Sequence, residues 1–465
     1  MTTTVQPSEL AAVLTSAGIA QVDHSTIGRA QYSSDASLFR VPPMVIAYPR
    51  DDSEVLAAVA VAREHGVPIT SRGAGTSIAG NAVGTGLVLD FTKRFRRAIE
   101  VDPQSRTATV TPGVVLDELQ RVAAPHGLRF GPDPSTHNRA TIGGMIGNNA
   151  CGSRALGYGR TADNVTQLQV VTGTGERITA GRGQSPDTSS VHRALHTITE
   201  ANLAVLRTEL GRFSRQVSGY SLEHLLPERG FDLAKMLVGT EGTCGIVLQA
   251  TLRLVAAPRH TILVVLGYPD MAGAADAVPA LLPHRPTAIE GIDARIVDVV
   301  RSRKGASRIP QLPAGRGWLM VELGGESPEQ LRAAAAALSA DAGALEHLVV
   351  TDPSQATAIW RIREDGAGLS ARSMTNQPAH AGWEDSAVPP ERLGAYLRDF
   401  DALLTEQGLS SMPYGHFGDG CVHARIDFPL DSRGSASYRE FLLSAAKLAR
   451  SYGGSMSGEH GDGRA

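Results

Sequence analysis

Apolar positions recur at helical spacing near the start of the chain, over roughly residues 8–18, and a polar stretch follows through residues 32–37. From Met44 the pattern changes to strand, helix, strand: MVIAYP, then SEVLAAVAVAREHG, then VPIT. Ser53 is the expected N-cap of that helix and Gly66 the residue just past its end. A glycine-rich loop, SRGAGTSIAG, leads into the strands GLVLDFT and TATVTPG and a helix expected over 116–126. LQVVTGTGERITAG predicts a hairpin turning over 172–175. Polar helical residues run on to about 228, and AKMLVGTEGTCGIVLQATLRLV predicts a second pair of strands around a glycine turn. At Pro258 the texture changes. TILVVLGYP, a helix over 272–282, a strand near Thr287, a helix over 293–302, GWLMVELGG and the helix SPEQLRAAAAALSA predict a separate unit of β-α-β character. The expected organisation is an N-terminal helical segment over 1–40, a first unit over 41–257 and a second over 258–465.

Composition narrows the class. Of 465 residues, 42 % are hydrophobic and 20 % charged, which excludes a disordered chain. A net charge of −3 supplies no basic field for nucleic acid or an anionic membrane. Fifty glycines, against a usual ~7 % of residues, point to many loops where backbone comes close to a bound cofactor. Cys151, Cys244 and Cys421 lie far apart with no CxxC or CxxH spacing. That argues against a disulfide framework, a structural zinc site or an iron–sulfur cluster within the chain. The start, MTTTVQPSEL, has neither the basic nor the apolar region of a secretory signal, and no apolar run reaches the ~18–20 residues of a membrane span. The expectation is a soluble intracellular protein with mixed helices and strands.

Two glycine-rich stretches carry candidate chemistry. The first, residues 71–80, lacks the closing Gly-Lys-Ser/Thr of a Walker loop and has Ile78 where GxGxxG needs its third glycine. It can still form an anion-binding nest of backbone N–H groups, although taken alone such a loop is more often a simple turn. The second, residues 132–165, reads as a long loop with two adjacent asparagines and little apolar content. Without a ligand such a loop is entropically costly; as a wall against a flat polar cofactor it makes sense.

Together VPITSRGAGTSIAGNAVG, DPSTHNRATIGGMIGNNACGSRALGYGRTADNV and VGTEGTCGIV resemble the flavin domain of the vanillyl-alcohol oxidase / p-cresol methylhydroxylase family. Within it they are most similar to the D-2-hydroxyacid dehydrogenase branch, which includes D-lactate dehydrogenases, the flavin-carrying chain of glycolate oxidase and D-2-hydroxyglutarate dehydrogenase. The resemblance implies an α+β protein with a two-subdomain FAD-binding domain and a ferredoxin-like α/β substrate domain. It implies pyrophosphate against Arg72, Gly73, Ala74, Gly75, Thr76, Ser77 and Gly80. It further implies flavin contacts at Pro132, Ser135, Thr141, Gly144, Asn148, Asn149, Cys151, Ser153, Gly157, Tyr158 and Val165, and at Glu241, Gly245 and Ile246. Relatives with covalent flavin carry a histidine where this chain has Thr76, so the FAD is expected to be non-covalent. Cys151 is expected to be a small buried residue.

In GHFGDGCVHARIDF, His416 and His423 flank Gly-Asp-Gly, and a tight turn there would bring two imidazoles to one point where they can share a divalent metal. SGEHGDGRA adds Glu459 and His460, which can serve one site only if the backbone is irregular; Gly458 and Gly461 allow that. The resemblance implies that His416, His423 and Glu459 hold the metal (Zn, Mn or Fe), that His460 accepts a proton, and that Arg363 in WRIRED grips a substrate carboxylate. Two departures weigh against D-2-hydroxyglutarate itself: Cys421 stands where some relatives have asparagine, and Trp383 where the hydroxyglutarate enzymes have lysine.

The function these features imply is a metal-assisted oxidation of a D-2-hydroxy acid of the D-lactate or glycolate type to a 2-oxo acid. The expected partners are a small 2-hydroxy acid, a non-oxygen electron acceptor such as an iron–sulfur domain, a quinone or an electron-transfer flavoprotein, and a second copy of the chain in a homodimer. The expected location is the cytoplasm or the inner face of the membrane. Two alternatives remain open: a metal-independent flavin oxidase of an alcohol or sugar, and a non-catalytic flavin-binding protein. Because residue 465 falls five positions after His460, the chain is expected to continue with a helical segment fused to a cysteine-rich iron–sulfur domain.

Overall fold

Asp51, rather than the expected Ser53, caps the first long helix, Asp52–Glu64. Its carboxylate accepts the N–H groups of Ser53 at 3.0 Å and Glu54 at 3.2 Å. Both residues are good caps by type, and an aspartate two positions upstream reaches the orphan N–H groups first. Gly66 follows in the left-handed region, as expected. The structure is a computed structural model that describes residues 5–305, 310–369, 378–380, 385–430 and 435–464.

Besides a two-stranded sheet that pairs Leu128–Arg129 with Val255–Ala256, the first half holds two larger ones. In one, Val22–Asp23, Val45–Ala47, Leu87–Asp90 and Ile69–Arg72 lie in that order. The last three strands run parallel, and Leu87–Asp90 is buried along its whole length, as a central parallel strand should be. In the other, five antiparallel strands lie in the order Ile99–Asp102, Thr107–Val110, Ile246–Arg253, Val165–Val171, Arg177–Ala180. The predicted hairpin is its last pair, closed by Gly175 N–H to the Thr172 carbonyl.

Two expectations here need correction. Residues 132–165 are not one long loop: they contain the helices Ile142–Asn148 and Ala155–Tyr158. Thr141 caps the first, its hydroxyl accepting Gly144 N–H at 3.2 Å. Residues 234–255 are not a pair of strands either. Asp232 caps the short helix Leu233–Leu237 through Lys235 N–H at 2.9 Å; Ile246–Arg253 joins the five-stranded sheet, and Val255–Ala256 pairs with Leu128–Arg129 rather than with it. Glycines mark a change of direction without saying which element lies on either side of it.

From His260 onward one seven-stranded antiparallel sheet dominates. Its order is Glu346–Val350, His260–Tyr268, Gly317–Gly325, Ala288–Asp293, Ser411–Gly415, Cys421–Ile426, Asp385–Ala387. Strand alternation divides its core in two. Ile262, Val264 and Leu266 pack on one face with helices Met271–Leu281, Pro328–Asp341, Leu393–Glu406 and Ser435–Ser451. Leu263 and Val265 pack on the other with Ala294–Lys304 and Pro353–Leu369. Arg154 latches this sheet to the first half, pairing with Asp133 at 2.6 Å and with Glu322 at 2.7 Å. No described helix is long and apolar enough to cross a membrane.

Candidate active site

The strand Ser411–Gly415 runs directly into His416, the chain turns through Phe417–Asp419, and Cys421–Ile426 returns beside it. Tyr414 and His423 face each other across the pair, and the imidazoles of His416 and His423 stand 5.2 Å apart, centre to centre. Phe417 packs over Gly291 of the neighbouring strand, where a Cβ would come within 2.7 Å of its ring. That close approach seats the turn on the sheet.

The Glu459–His460 segment reaches the same point. Glu459 Oε1 lies 3.0 Å from His416 Nε2, 3.2 Å from His423 Nε2 and 3.4 Å from His460 Nε2. Its other oxygen meets Arg215 Nη1 at 3.3 Å and Gly152 N–H at 3.4 Å. Gly461, in the left-handed region at φ +82°, supplies the irregular backbone this turn requires. Burial alone would raise the Glu459 carboxyl; the facing imidazoles outweigh it and hold the group well below the usual carboxylate range. His416 is pulled down by burial but lies between Glu290 and Glu459, which push it up to about 9. His423, dominated by burial, moves down. Ligand atoms of His416, His423 and Glu459 all lie within 4.8 Å of one another, and two imidazoles with one carboxylate are a donor set that fits a divalent ion.

Arg363 sits on the helix Pro353–Leu369, only 6 % exposed, with its guanidinium over the Tyr414 ring at 4.7 Å. Its Nε donates to Glu290 Oε2 at 2.9 Å, while Glu290 Oε1 meets His416 Nδ1 at 2.6 Å. One carboxylate thus orients both a candidate ligand and a candidate anion grip. Trp383 lies outside the described residues.

A cavity of about 850 Å³ runs from this cluster along the glycine-rich walls, toward the upper end of the ~300–1,000 Å³ range of ligand sites. Arg72, Gly73, Ala74, Gly75, Thr76, Ser77, Ser135, Thr141, Gly144, Asn148, Cys151, Ser153, Glu241, Gly245 and Ile246 all line it, as do Arg363, His416, His423, Glu459 and His460. Gly147 faces open space there, so its surface is bare backbone. At Gly73 a Cβ would fall 2.3 Å from the Thr141 hydroxyl, so the two glycine-rich stretches can touch only because that position has no side chain. A long, backbone-walled trough of this kind fits a flat dinucleotide.

Six expected contacts stand outside the cavity wall and have other work. Gly80 packs under Phe39 and Arg464, and Gly157 against Thr287. Pro132 is buried, and Val165 opens a strand. Asn149 accepts Ala162 N–H at 2.9 Å, and Tyr158 lies under the Arg129 guanidinium at 5.2 Å. Within the wall, Arg72 is tied to the Ala82 and Ser34 carbonyls at 2.9 and 2.8 Å, so it braces the loop from beneath. An anion there would meet the loop's backbone N–H groups. Glu241 accepts the N–H groups of Asp462 and Gly463, both at 2.8 Å, and so anchors the turn after His460. Cys151 is buried as expected, with its thiol pushed up to about 12 by burial.

Sequence reasoning missed Glu290, Asp385 and Arg215, and read Asp419 only as a turn residue. Glu290 had a signal: an acid inside the apolar run AIEGI, on a strand buried throughout. Arg215 had none that its own neighbours reveal.

A dinucleotide-sized trough thus opens onto a cluster of acid and imidazole, and comparison with known proteins says which family builds such a site. Residues 43–181 match the FAD binding domain and residues 257–465 the C-terminal domain of FAD linked oxidases, and the chain belongs to the FAD-linked oxidase family. It is 31 % identical to a D-lactate dehydrogenase of Archaeoglobus fulgidus over 92 % of this chain and 87 % of that one. It is 30 % identical to the D-2-hydroxyglutarate dehydrogenase of Pseudomonas putida over 98 % of this chain but 48 % of the relative. The glycolate oxidase subunit GlcD of Bacillus subtilis is 28 % identical over 95 % and 85 % of the two chains. The chain spans about half the length of the D-2-hydroxyglutarate dehydrogenases it matches. Alkyldihydroxyacetonephosphate synthase shares the fold, with a TM-score of 0.63 at 17 % identity over 94 % of this chain and 77 % of that structure.

Proposed function

We propose that this chain is the flavin- and metal-binding part of a dehydrogenase that oxidises a D-2-hydroxy acid of the D-lactate or glycolate type to the 2-oxo acid. The observation that carries this reading is the meeting of three imidazole Nε2 atoms on one Glu459 oxygen, at 3.0, 3.2 and 3.4 Å, within the same cavity as the glycine-rich walls. The relatives' names point the same way.

His416, His423 and Glu459 would hold the ion, and residues 72–77 with the 141–153 wall would hold non-covalent FAD. When bound, the ion supplies Lewis acidity toward the substrate oxygens and the flavin supplies the acceptor for a hydride. Arg363 binds the substrate carboxylate by the guanidinium nitrogens that Glu290 leaves free. His460 takes the hydroxyl proton at its Nε2, which faces the cluster. The substrate loses that proton and its α-hydrogen with two electrons, which leaves the 2-oxo acid. The mostly buried cluster and the closely packed Tyr414 exclude bulk water. Electrons leave to an acceptor other than oxygen, such as an iron–sulfur domain, a quinone or an electron-transfer flavoprotein, in the cytoplasm or at the inner face of the membrane. The FAD-binding part is of the two-subdomain p-cresol methylhydroxylase type, and the later sheet is the ferredoxin-like substrate domain.

The test is anaerobic reduction of the flavin by a panel of D- and L-2-hydroxy acids, with chelator-treated and metal-replenished protein. Bleaching by D-acids that needs the metal supports the reading. Bleaching by alcohols or sugars at the full rate without metal favours a metal-independent oxidase, and no bleaching by any donor favours a non-catalytic flavin-binding protein.

A further inference from the structure

The turn that carries Glu459 and His460 is held by a residue outside the cavity wall. Asp385 opens the edge strand Asp385–Ala387 and faces His423 across the pairing with Cys421–Ile426. It is 6 % exposed. Its Oδ2 accepts four hydrogen bonds from one short stretch: Ser457 Oγ at 2.8 Å, Gly458 N–H at 3.0 Å, Glu459 N–H at 3.0 Å and His460 N–H at 2.7 Å. Three consecutive backbone N–H groups closing on one carboxylate oxygen form a nest, and the anion inside it dictates the path of the chain. Glu459 and His460 therefore owe their shared aim to Asp385, since neighbours on regular backbone would point apart.

The other oxygen does a second job. Asp385 Oδ1 lies 3.5 Å from His423 Nδ1, a nitrogen fully buried and without a hydrogen-bond partner among the described residues. It also receives the Cys421 thiol at 3.5 Å, and burial together with Asp385 keeps that thiol protonated. A buried imidazole N–H beside a carboxylate settles on the tautomer that points the proton at it. For His423 that leaves the Nε2 lone pair toward His416 and Glu459.

We propose that Asp385 is the positioning residue of this site: one oxygen shapes the Glu459–His460 turn, and the other sets the His423 tautomer that turns Nε2 toward the metal. The proposal rests on the metal reading given above and adds to it the residue on which that site's order depends. Arg215 and Glu290 do not substitute for Asp385, because they address Glu459 Oε2 and His416 Nδ1 instead.

The experiment separates the two roles with two variants of the full chain. In Asp385→Ala both oxygens are gone; in Asp385→Asn the amide oxygen can still accept the turn's N–H groups, while the NH2 group cannot accept from His423. Hydrogen exchange of peptides covering 457–464 reads the turn, and Co2+ titration with its d–d spectrum reads the ligand geometry. Retained FAD absorbance and melting temperature are the folding control. The expected result is fast exchange and a ~10–100-fold loss of Co2+ affinity in Asp385→Ala. Asp385→Asn is expected to keep slow exchange yet lose affinity and alter the spectrum. If Asp385→Ala does not fold, Asp385→Asn decides alone. Native exchange and native Co2+ affinity in both variants, or in the Asn variant alone if only it folds, would overturn the proposal. If the unaltered protein binds no Co2+ at all, the metal reading and the tautomer role fall together, while the exchange arm still decides whether Asp385 holds the turn.

Discussion

Arg215 and Glu459, 244 positions apart, meet at 3.3 Å in the interior, with the arginine side chain wholly removed from solvent. The same guanidinium pairs with Asp419 at 2.9 Å, in the turn between the two histidines. A segment of the first half thus plants its positive charge behind Asp419 and Glu459. Two buried carboxylates that near each other repel unless a cation lies between them, and a guanidinium fork can serve both at once.

Arg215→Met is expected to leave Asp419 and Glu459 without their buried cation. Breaking a buried ion pair costs about 3–5 kcal/mol, so a clear drop in the denaturation midpoint follows. Arg215→Lys, with one compact charge, should fall between the two. Chemical denaturation monitored by fluorescence checks this, and an unchanged midpoint in Arg215→Met would show that the pair contributes nothing to stability.

Acid precipitation is expected to release all the FAD, because Thr76 stands where covalent relatives place histidine and the Cys151 thiol is buried and protonated. Yellow colour that stays with the pellet would refute it.

Replacing His460 by asparagine should keep metal and flavin, because Asp385 and Asn148 hold this residue by its backbone N–H and carbonyl. The fast reductive step should fall by the ~10²–10⁴ typical of a lost general base. Stopped-flow reduction under anaerobic conditions measures it. A rate equal to the parent's would remove His460 from the proton transfer.

His224 offers a stability test away from the site. Burial, with Lys235, Arg160 and Arg229 nearby, pulls it down to about 3, against a small opposing pull from Asp163. Between about pH 3 and the ordinary value near 6.5 the unfolded chain binds a proton that the folded one refuses. Stability from this group is therefore complete above about pH 6.5 and is lost, at up to ~1.4 kcal/mol per unit, as pH falls toward 3. Denaturation at pH 7 and pH 5 should show a larger acid loss in the parent than in His224→Gln. Equal losses would mean that His224 titrates normally when folded.

Much of the site was readable from short stretches because the signals are local. His416 and His423 flank Gly-Asp-Gly, and strand pairing across so short a turn leaves little freedom over where they meet. Glu459 and His460 lie between glycines that permit an irregular turn. The strands and helices from His260 to Asp341 followed from apolar periodicity, since alternation on strands and 3.6-residue spacing on helices decide which face is buried. Glu346–Val350, Pro353–Leu369, Asp385–Ala387, Leu393–Glu406 and Ser435–Ser451 were not read. The first unit misled where glycine marked a bend without its type, as in residues 132–165 and 234–255.

What the sequence by itself determined, then, is the family, the elements from His260 to Asp341, and which imidazoles and acids could gather at one point. Only the tertiary structure decided what holds them there. Glu290 to His416 spans 126 positions, Asp385 to His460 spans 75, and Arg215 to Asp419 spans 204. The reason is physical. Backbone hydrogen bonds and side-chain periodicity are written in near neighbours, whereas a buried charge is tolerated only beside its partner. That partner is brought close by packing of distant elements, so an arginine such as Arg215 looks like any surface cation until the fold closes around it.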